Sequence, residues 1–381
     1  MSQTSASMLY KRIPIEIESP EQMGYDTITN NLSESSYTDA LFRDIKDFTA
    51  GLQDLVLCYG SHTGHEGLRE LLVKDSARLG KDDVLLTVGA AAGLFIIATS
   101  LLEKGDELVV VRPNYATNIE TPRAIGAEIR FVDLRWEEGF ELNMEALKRA
   151  VTKKTKYISV THPHNPTGVC LSDAQLKELV AIASDNEIRL LVDETYRDMV
   201  FGEKLPLAAE YSERVISVSS LSKTYGLPGI RMGWIVCRDR QLMETFLAAK
   251  EQIHICGSVL DEEVAFRYLR HKDRYFTGIQ KDIREKFGIV KEWMGAQEGF
   301  EWIEPKGGCV CFPRIRHPER VDLDLFYETL LKKYGTYAGP GHWFEMPRHY
   351  MRVGFGWPAK EQLREGLRAL TMSLEEATRD I

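Results

Sequence analysis

The sequence lacks the features that mark membrane, secreted and nucleic-acid-binding proteins. No apolar run approaches the roughly 18–20 residues that a membrane span requires, and the first residues, MSQTSASMLYKRIPIE, contain no apolar signal-peptide core. The six cysteines form no CxxC pair, which favours reduced thiols and a cytoplasmic protein. Acidic and basic residues are interspersed at a net charge of −9, and no basic stripe indicates a nucleic-acid partner.

No internal repeat or low-complexity tract divides the chain, but its length indicates more than one domain. A chain of 381 residues, 44% of them hydrophobic, can bury a large core and is expected to form two domains. We predict a large domain over residues 51–275 and a small α+β domain over residues 276–381. Residues 1–50 are predicted to form an N-terminal segment that packs with the small domain.

Continuous apolar strands alternate with amphipathic helices along the predicted large domain. We predict strands at 84–88, 107–111, 157–161, 189–192 and 215–218. Helix signals lie between them, including Asn143 as an N-cap and Ser172 with Gln175 as a capping box. This alternation predicts an α/β fold, with a mainly parallel sheet covered by helices on both faces.

The pattern changes after Lys223, where we expect the chain to leave the sheet. One long helix is predicted at 258–294, followed by a hairpin at 300–315 around a pair of glycines. A helix at 323–334, a strand at 350–354 and a terminal helix at 359–377 would complete the small domain.

Polar residues follow three successive predicted strands. Asn165 comes after the third strand, Asp193 after the fourth and Lys223 after the fifth. Because the carboxyl ends of parallel strands form the ligand crevice of an open α/β sheet, we expect these side chains to converge. Gly89 adds a helix N-terminus at the same edge, where backbone N–H groups and the helix dipole favour an anion.

Lys223 lies in the stretch VSSLSKTYGLPGIRMGW, whose glycines and proline argue against a regular helix. Ser220 precedes the lysine and Arg231 follows it, a combination that suits an amine held near a bound anion. Pyridoxal phosphate uses an amine, a carboxylate and an anion site together. A lysine forms its Schiff base, a carboxylate favours the protonated pyridine nitrogen, and the phosphate requires N–H donors and an arginine.

Four motifs carry a family resemblance, namely SLSKTYGLPGIRMG, HNPTG, DETY and PGHWFE. With them, residues 55–370 resemble the class I/II aminotransferases of the fold-type I pyridoxal-phosphate enzymes. YGSHTGHEGLR, HPHNPTGVC and PKGGCVCFPR are especially similar to the capreomycidine synthase branch of that family. The resemblance implies pyridoxal 5′-phosphate as the cofactor, a large cofactor-binding domain, and a homodimer with a shared active site.

The resemblance also implies catalytic and substrate-binding roles. Lys223 would form the Schiff base, and Asp193 would pair with the pyridine nitrogen. Tyr196 and Asn165 would contact the 3′ oxygen of the ring, with Asn165 also near the substrate carboxylate. Arg352, in YMRVGFG, would clamp that carboxylate with two parallel hydrogen bonds.

The remaining cofactor contacts are implied in the same way. The residues that would hold the phosphate are Gly89, Ala90, Ala91, Ser220 and Arg231, with Tyr59 reaching the phosphate of the neighbouring subunit and Tyr115 stacking on the ring. One position departs from the family pattern, because the stretch GAAAG has no Ser or Thr beside Gly89. The missing hydroxyl donor bears on cofactor affinity more than on chemistry.

The predicted function is an aminotransferase that moves an amino group between an L-amino acid and a 2-oxo acid. The alternative is β-elimination or replacement on a β-hydroxylated amino acid, with a cyclisation like that of capreomycidine synthase. A non-catalytic pyridoxal-phosphate-binding regulatory module is a third hypothesis. Such a module would need a basic DNA-binding extension, and the first 55 residues show none.

Three other patterns support weaker hypotheses. His162 and His164 alternate like a metal-binding pair, but without a third ligand we predict no metal site. Cys309 and Cys311 alternate on a predicted strand and suit packing rather than redox chemistry. The segment NLSESS, at 31–36, suits either a substrate-covering segment or a turn.

Overall fold

The structure is a computed structural model that describes residues 8–43, 45 and 50–378. Its β-strands are β1 Asn30–Leu32, β2 Val84–Val88, β3 Glu107–Arg112, β4 Glu128–Asp133, β5 Thr155–Thr161, β6 Arg189–Asp193, β7 Val215–Ser220, β8 Met232–Cys237, β9 Phe300–Glu301, β10 Val310–Cys311, β11 Arg314–Ile315, β12 Thr336–Pro340 and β13 Met351–Gly354. Its α-helices are α1 Pro14–Ile17, α2 Pro20–Met23, α3 Glu66–Val73, α4 Gly89–Leu101, α5 Thr117–Ile125, α6 Met144–Ala150, α7 Asp173–Asp185, α8 Arg240–His254, α9 Val259–Arg270, α10 Lys272–Gly295, α11 Leu323–Lys332 and α12 Lys360–Ala377.

A seven-stranded sheet in the order β2-β8-β7-β6-β5-β3-β4 forms the centre of the molecule. The neighbouring pairs from β4 through β7 are all parallel, as the continuous apolar strands predict. Strand interiors are buried because helices cover the sheet, with α4 packing against β7 and β8. The predicted α/β architecture is confirmed.

The prediction that the chain leaves the sheet after Lys223 is wrong. The chain returns as β8, which runs antiparallel to both β7 and β2 and fills the gap between them. Every residue of this MGWIVC strand is buried. Insertion between two existing strands satisfies its backbone groups and places its apolar side chains in the core. The return also places Arg231, the residue before β8, at the edge where Lys223 lies.

Local helix signals are confirmed where a side chain caps the helix. The Asn143 side chain accepts a hydrogen bond from the backbone N–H of Ala146, and Ser172 with Gln175 forms a reciprocal capping box.

Helix α5 and strand β4 were not predicted. Pro122 lies inside α5 and conceals the helical pattern, and β4 is an edge strand with mostly exposed or partly exposed residues.

The predicted long helix is two helices, α9 and α10, which are separated at His271. The predicted hairpin is only partly correct. Strand β9 pairs with β11 in antiparallel fashion, but β10, which lies between them in sequence, pairs with β13 instead. The two helices and the strand predicted beyond residue 320 are present as α11, α12 and β13.

A second sheet, in the order β1-β12-β13-β10, combines both ends of the chain. Strand β1 runs parallel to β12, with Asn30 opposite Thr336, and the Asn30 amide donates to the Thr336 hydroxyl at 3.1 Å. Helix α12 packs on β1 and β12 over a core that includes Leu32 and Leu367. The N-terminal strand therefore joins a C-terminal sheet, while the domain boundaries at 50/51 and 275/276 stay a prediction.

Candidate active site

The central sheet brings the predicted polar residues to one edge. Strands β5, β6 and β7 are adjacent and parallel, with Thr161 opposite Asp193 and Asp193 opposite Val218. Asn165 follows β5, Asp193 ends β6 and Lys223 follows β7, so their side chains lie beyond the same carboxyl edge. Helix α4 begins directly after β2, which lies two places from β7 in the sheet. The sheet topology therefore brings these three residues and the start of α4 to the same edge, as expected.

The start of α4 is built to receive an anion. Its N-cap residue is Val88, whose side chain cannot accept the orphan N–H groups of the first turn. The Arg231 guanidinium lies against this turn, because a Cβ built on Gly89 would be 2.3 Å from its Nη2. A Cβ on Gly233 would be 2.5 Å from the Ala90 nitrogen, so glycine at 233 lets β8 pass this close. Backbone donors and a guanidinium are together the kinds of group that bind a phosphate.

The serines of the lysine motif complete this anion site. The Arg231 Nη1 donates to the Ser222 hydroxyl at 3.3 Å and to the Pro228 carbonyl at 2.8 Å. The Ser220 hydroxyl is buried and accepts from the Ser222 N–H at 3.3 Å. Arg231 itself has a left-handed backbone, with φ +45°, which turns its side chain back toward α4. Ala90 and Ala91 lie in the first turn of α4 and are partly buried.

Asp193 is a buried carboxyl group, 5% exposed. Its Oδ1 accepts from the Thr195 N–H at 3.1 Å and from the Thr195 hydroxyl at 2.6 Å. Burial raises the pKa of Asp193, and the hydrogen bonds from Thr195 only partly offset this effect. A positively charged N–H group placed beside this carboxylate would therefore keep it ionised.

Lys223 is half-buried, and its charge acts on the Asp193 carboxyl group. Burial lowers the pKa of the Lys223 amine from the ordinary value of 10.5, and the positive charge of Arg352 lowers it further. The negative charge of Glu34 raises the pKa of Lys223, and its effect is the largest of any charged group. A larger share of this amine is therefore neutral near pH 7 than for a surface lysine, which suits a nucleophile and a base.

Arg352, on β13, is a buried guanidinium, 5% exposed. It donates from Nη1 to the Asn165 side-chain oxygen at 3.2 Å and from Nη2 to the Ser33 carbonyl at 2.6 Å. Its Nε has no partner among the described residues. Burial lowers its pKa, and no carboxylate of the described chain forms an ion pair with it. A buried cation with a free donor is chemically suited to a carboxylate that comes from elsewhere, so the predicted role of Arg352 stays a prediction.

The tyrosines of the predicted site differ in position. Tyr196 is buried, and its hydroxyl donates to the Ser35 carbonyl at 2.8 Å. Tyr115 is half-buried near Asp193 and Arg231, whose charges both act on its pKa, although burial is the main cause that raises it. Tyr59 is 80% exposed and is not part of this chain's own site. Its predicted contact with a neighbouring subunit stays a prediction.

The segment NLSESS covers the site, a possibility that the sequence left open. Ser33 and Ser35 are buried, and their carbonyls accept from Arg352 and Tyr196 as described above. Between them, Glu34 is the carboxylate that acts most strongly on Lys223. The sequence did not mark Glu34 as a site residue. Its only local signal is a run of short polar residues, which is equally common in turns.

The environments of the His162–His164 pair and of Cys309 suit structural roles. The His162 Nδ1 accepts from the Leu171 N–H at 3.0 Å, and the His164 Nδ1 lies 2.8 Å from the Thr167 hydroxyl. Burial lowers the pKa of both histidines to about 4. Residues 8–43, 45 and 50–378 contain no group of three potential metal ligands. Cys309 is buried, and burial raises the pKa of its thiol to about 12, which disfavours the thiolate form.

Comparison with known proteins decides the family. The sequence model of the family described as aminotransferase class I and II matches residues 27–370. The chain belongs to this family. Its members depend on pyridoxal phosphate, and the predicted cofactor and fold type are confirmed at this level.

Individual relatives include enzymes of two kinds. The chain is 33% identical to a capreomycidine synthase of Streptomyces vinaceus over 331 residues, which cover 86% of this chain and 83% of that enzyme. The crystal structure of a pyridoxal-phosphate-dependent aminotransferase from Streptococcus suis superposes with a TM-score of 0.89 at 27% identity, and the match covers 98% of this chain and 100% of that one. The pyridoxal-phosphate-dependent cyclase OrfR has a TM-score of 0.88 at 29% identity, with the same coverage of 98% and 100%. The expected similarity to the capreomycidine synthase branch is confirmed.

Proposed function

We propose that this protein is an aminotransferase that moves an amino group between an L-amino acid and a 2-oxo acid. The observation that carries the proposal is the shared sheet edge. There, an amine whose pKa is lowered by burial, a buried carboxyl group and a cluster of anion-binding groups lie beside a buried guanidinium that forms no ion pair with a described carboxylate. Together these groups supply what a pyridoxal-phosphate enzyme needs for an amino-acid substrate.

The residues present fit the cofactor. The first turn of α4, Ser220 and the Arg231 guanidinium would hold the phosphate. Asp193 would hold a proton on the pyridine nitrogen, and Lys223 would attach the aldehyde carbon. When bound, the cofactor would supply an aldehyde carbon for the substrate amine and an electron sink for the substrate α-carbon. Tyr196 and Asn165 would contact the 3′ oxygen, and Tyr115 would lie against the ring.

Lys223 would be the base that takes the proton from the substrate α-carbon. Its Nζ atom would take this proton and hold it for transfer within the site. The buried surroundings assist because they favour the neutral amine, the form that accepts a proton. Arg352 would hold the substrate carboxylate, fixing the orientation of the Cα–H bond relative to Lys223.

We further propose a homodimer in which Tyr59 reaches the phosphate of the other subunit. Apolar side chains around this tyrosine are exposed in the single chain, namely Val56, Leu57, Ile253, Ile255 and Leu260. A surface of this kind is typical of an interface, and a twofold dimer would bury it twice. A cytoplasmic location remains part of the proposal, supported by six unpaired cysteines. None of the helices in the described ranges is long and apolar enough to cross a membrane.

The second candidate is β-elimination or replacement with cyclisation, and the similarity to capreomycidine synthase favours it. Both reactions begin with loss of the α-proton, so both require Lys223, Asp193 and Arg352. They differ in whether the amino group stays on the cofactor. Transamination leaves pyridoxamine phosphate, whereas elimination expels a group from the β-carbon.

Single-turnover spectroscopy of the purified protein with a panel of amino acids separates the candidates. We expect an amino acid without a β-leaving group to convert the spectrum to that of pyridoxamine phosphate, and a 2-oxo acid to restore it. Reaction with β-hydroxylated amino acids alone, with the aldehyde spectrum retained, would establish the second candidate. A protein whose spectrum no amino acid changes would be the regulatory module.

A further inference from the structure

The loop that carries Lys223 is held by hydrogen bonds from the N-terminal segment. The Tyr37 N–H donates to the Lys223 carbonyl at 2.8 Å, and the Ala40 N–H donates to the Gly226 carbonyl at 2.8 Å. Gly226 has φ +63°, and a Cβ built on it would lie 2.2 Å from the Thr38 carbonyl oxygen. A side chain at position 226 would therefore push the two backbones apart. The backbone of Lys223 thus depends on where the N-terminal segment lies.

Helix α10 contacts the same part of the N-terminal segment through a buried lysine. Lys286 is 3% exposed, and its Nζ donates to the Gly356 carbonyl at 2.9 Å and to the Thr38 hydroxyl at 3.4 Å. The same Nζ lies 5.3 Å from the centre of the Tyr37 ring, within the range of a cation–π interaction. Asp282, one turn earlier on α10, pairs with this Nζ at 2.8 Å.

The contribution of Lys286 is one of direction more than of stability. A buried ion pair adds little net stability, because the desolvation of both charges offsets their attraction. The ammonium group has three donors, however, and each requires an acceptor in a particular place. One of these acceptors is the Thr38 hydroxyl, and the neighbouring residue, Tyr37, donates to the Lys223 carbonyl. A chain of direct contacts therefore leads from α10 to the Lys223 backbone.

An earlier part of the segment serves the carboxylate clamp instead. The Ser33 carbonyl accepts from Arg352. The hydrogen bonds and ion pair that Lys286 forms within the described chain go to Thr38, Gly356 and Asp282. Loss of these contacts should therefore act on Lys223 more than on Arg352.

Resting on the proposed function, we propose that Lys286 is a positioning residue for proton transfer. It holds residues 37–38 in place and thereby orients the Lys223 backbone, so that the amine faces the Cα–H bond of the substrate. Lys286 itself neither touches the substrate nor moves a proton. Because a misplacement of about 1 Å costs up to about 10²-fold in rate, a loosened Lys223 backbone should have a measurable effect.

The kinetic test compares Lys286→Met with Lys281→Met in the holoenzyme. Lys281 is on the same helix, but its side chain is 79% exposed. Lys286→Met should slow α-proton loss about 10-fold, with a change in KM of less than about 3-fold, whereas Lys281→Met should change neither. Stopped-flow spectroscopy with a deuterated substrate measures the proton-transfer step. Asp282 still has Lys360 as a partner, at 3.3 Å, when Lys286 is replaced.

Amide hydrogen exchange of the apo-protein provides a readout that is independent of turnover. The Tyr37 and Ala40 N–H groups should exchange about 10-fold faster in Lys286→Met, with no change in β6 and β7. Thr38→Val removes the hydroxyl at nearly constant shape and should reproduce part of both effects, even where Lys286→Met does not fold. Thr38→Ser, which keeps the hydroxyl, should behave like the wild type.

Unchanged exchange in Lys286→Met and Thr38→Val would overturn this inference, because Lys286 would then not hold the segment. Faster exchange with wild-type α-proton loss would also overturn it, as would a loss that appears in KM alone. In each case the proposed function stands if some amino acid still reacts. A wild-type protein whose cofactor spectrum no amino acid changes would refute the proposed function, a result on which the exchange measurement does not depend.

Discussion

The guanidinium of Arg231 occupies the space that any side chain at position 89 would need. A Cβ on Gly89 would lie 2.3 Å from its Nη2 and 3.1 Å from its central carbon. The φ of Gly89, +75°, is also one that other residues adopt at a cost. A side chain at position 89 would therefore strain the backbone and would also displace the guanidinium beside it.

The first prediction is that Gly89→Ala weakens cofactor binding by at least about 10-fold, because displacing Arg231 removes a charged phosphate contact. A titration of the apo-protein with pyridoxal phosphate, followed by absorbance, measures this constant. The matched control is Gly105→Ala. Gly105 has a similar φ, +88°, but open space around its Cβ position. It should lower the melting temperature without changing the cofactor affinity, and equal losses of affinity in both variants would contradict this account.

The second prediction concerns the buried carboxyl group of Asp193. Asp193→Asn should keep the fold, because an amide oxygen can still accept from Thr195, but should slow α-proton loss by about 10³-fold. Stopped-flow spectroscopy with a deuterated substrate measures that step. Asp185→Asn, at the exposed end of α7, is the control. Wild-type behaviour of Asp193→Asn would show that this carboxylate does not pair with the pyridine nitrogen.

The third prediction concerns the pH dependence of cofactor attachment. Only the neutral Lys223 amine attacks an aldehyde, so the association rate should rise with pH and level off below the ordinary pKa of 10.5. Glu34 holds the pKa of Lys223 up, so Glu34→Gln should move the rising limb to lower pH. Glu21→Gln should move it less, because Glu21 acts more weakly. A shift to higher pH in Glu34→Gln would have the wrong sign for this electrostatic relationship.

The fourth prediction concerns the carboxylate clamp. Arg352→Lys should raise KM by about 100-fold, since an ammonium cannot reproduce the planar fork of hydrogen bonds. It should also reduce discrimination against the corresponding amino-acid amides, a readout that simple destabilisation would not produce. Arg348→Lys, an equivalent change at an arginine that pairs with Asp324 outside the site, is the control. Unaltered discrimination in Arg352→Lys would place the substrate carboxylate elsewhere.

The fifth prediction is subunit complementation. If each site takes Lys223 from one chain and Tyr59 from the other, mixing the inactive Lys223→Ala with a weakened Tyr59→Ala creates one intact site per hybrid dimer. Random reassortment should then restore about a quarter of wild-type activity. Sedimentation confirms that hybrids are dimers. Activity that never exceeds the sum of the separate variants would mean that one chain builds the whole site.

The residues at the carboxyl edge of the central sheet could be predicted from the sequence, whereas the residues of the N-terminal segment that covers the site could not. Asn165, Asp193 and Lys223 could be placed together because each follows a buried strand, and parallel strands end at one edge. The position of β8 could not be read in the same way. Its apolar MGWIVC run resembles any buried strand, and its insertion between β7 and β2 depends on contacts with strands distant in sequence.

Glu34 is the clearest example of a site residue that the sequence alone could not predict. Its neighbours in the site, Lys223 and Arg352, are far away along the chain, and no periodicity or motif links them to it. Its placement depends on the pairing of β1 with β12 and on the Ser33 and Ser35 carbonyls. Such tertiary contacts leave no local pattern in a run of short polar residues.

The parallel pairing of β1 with β12 also sets an order of assembly during synthesis. The central sheet is complete at Cys237, so a nascent chain can form the edge with Lys223 and Asp193 well before its last third is made. The segment with Glu34 has no sheet to join until residues 336–340 leave the ribosome. Throughout that interval the lysine and its anion site are open to solvent on the side that Ser33 and Ser35 later cover. Formation of this sheet edge can thus precede closure of the site by the time needed to translate about a hundred residues, at roughly 5–20 residues per second.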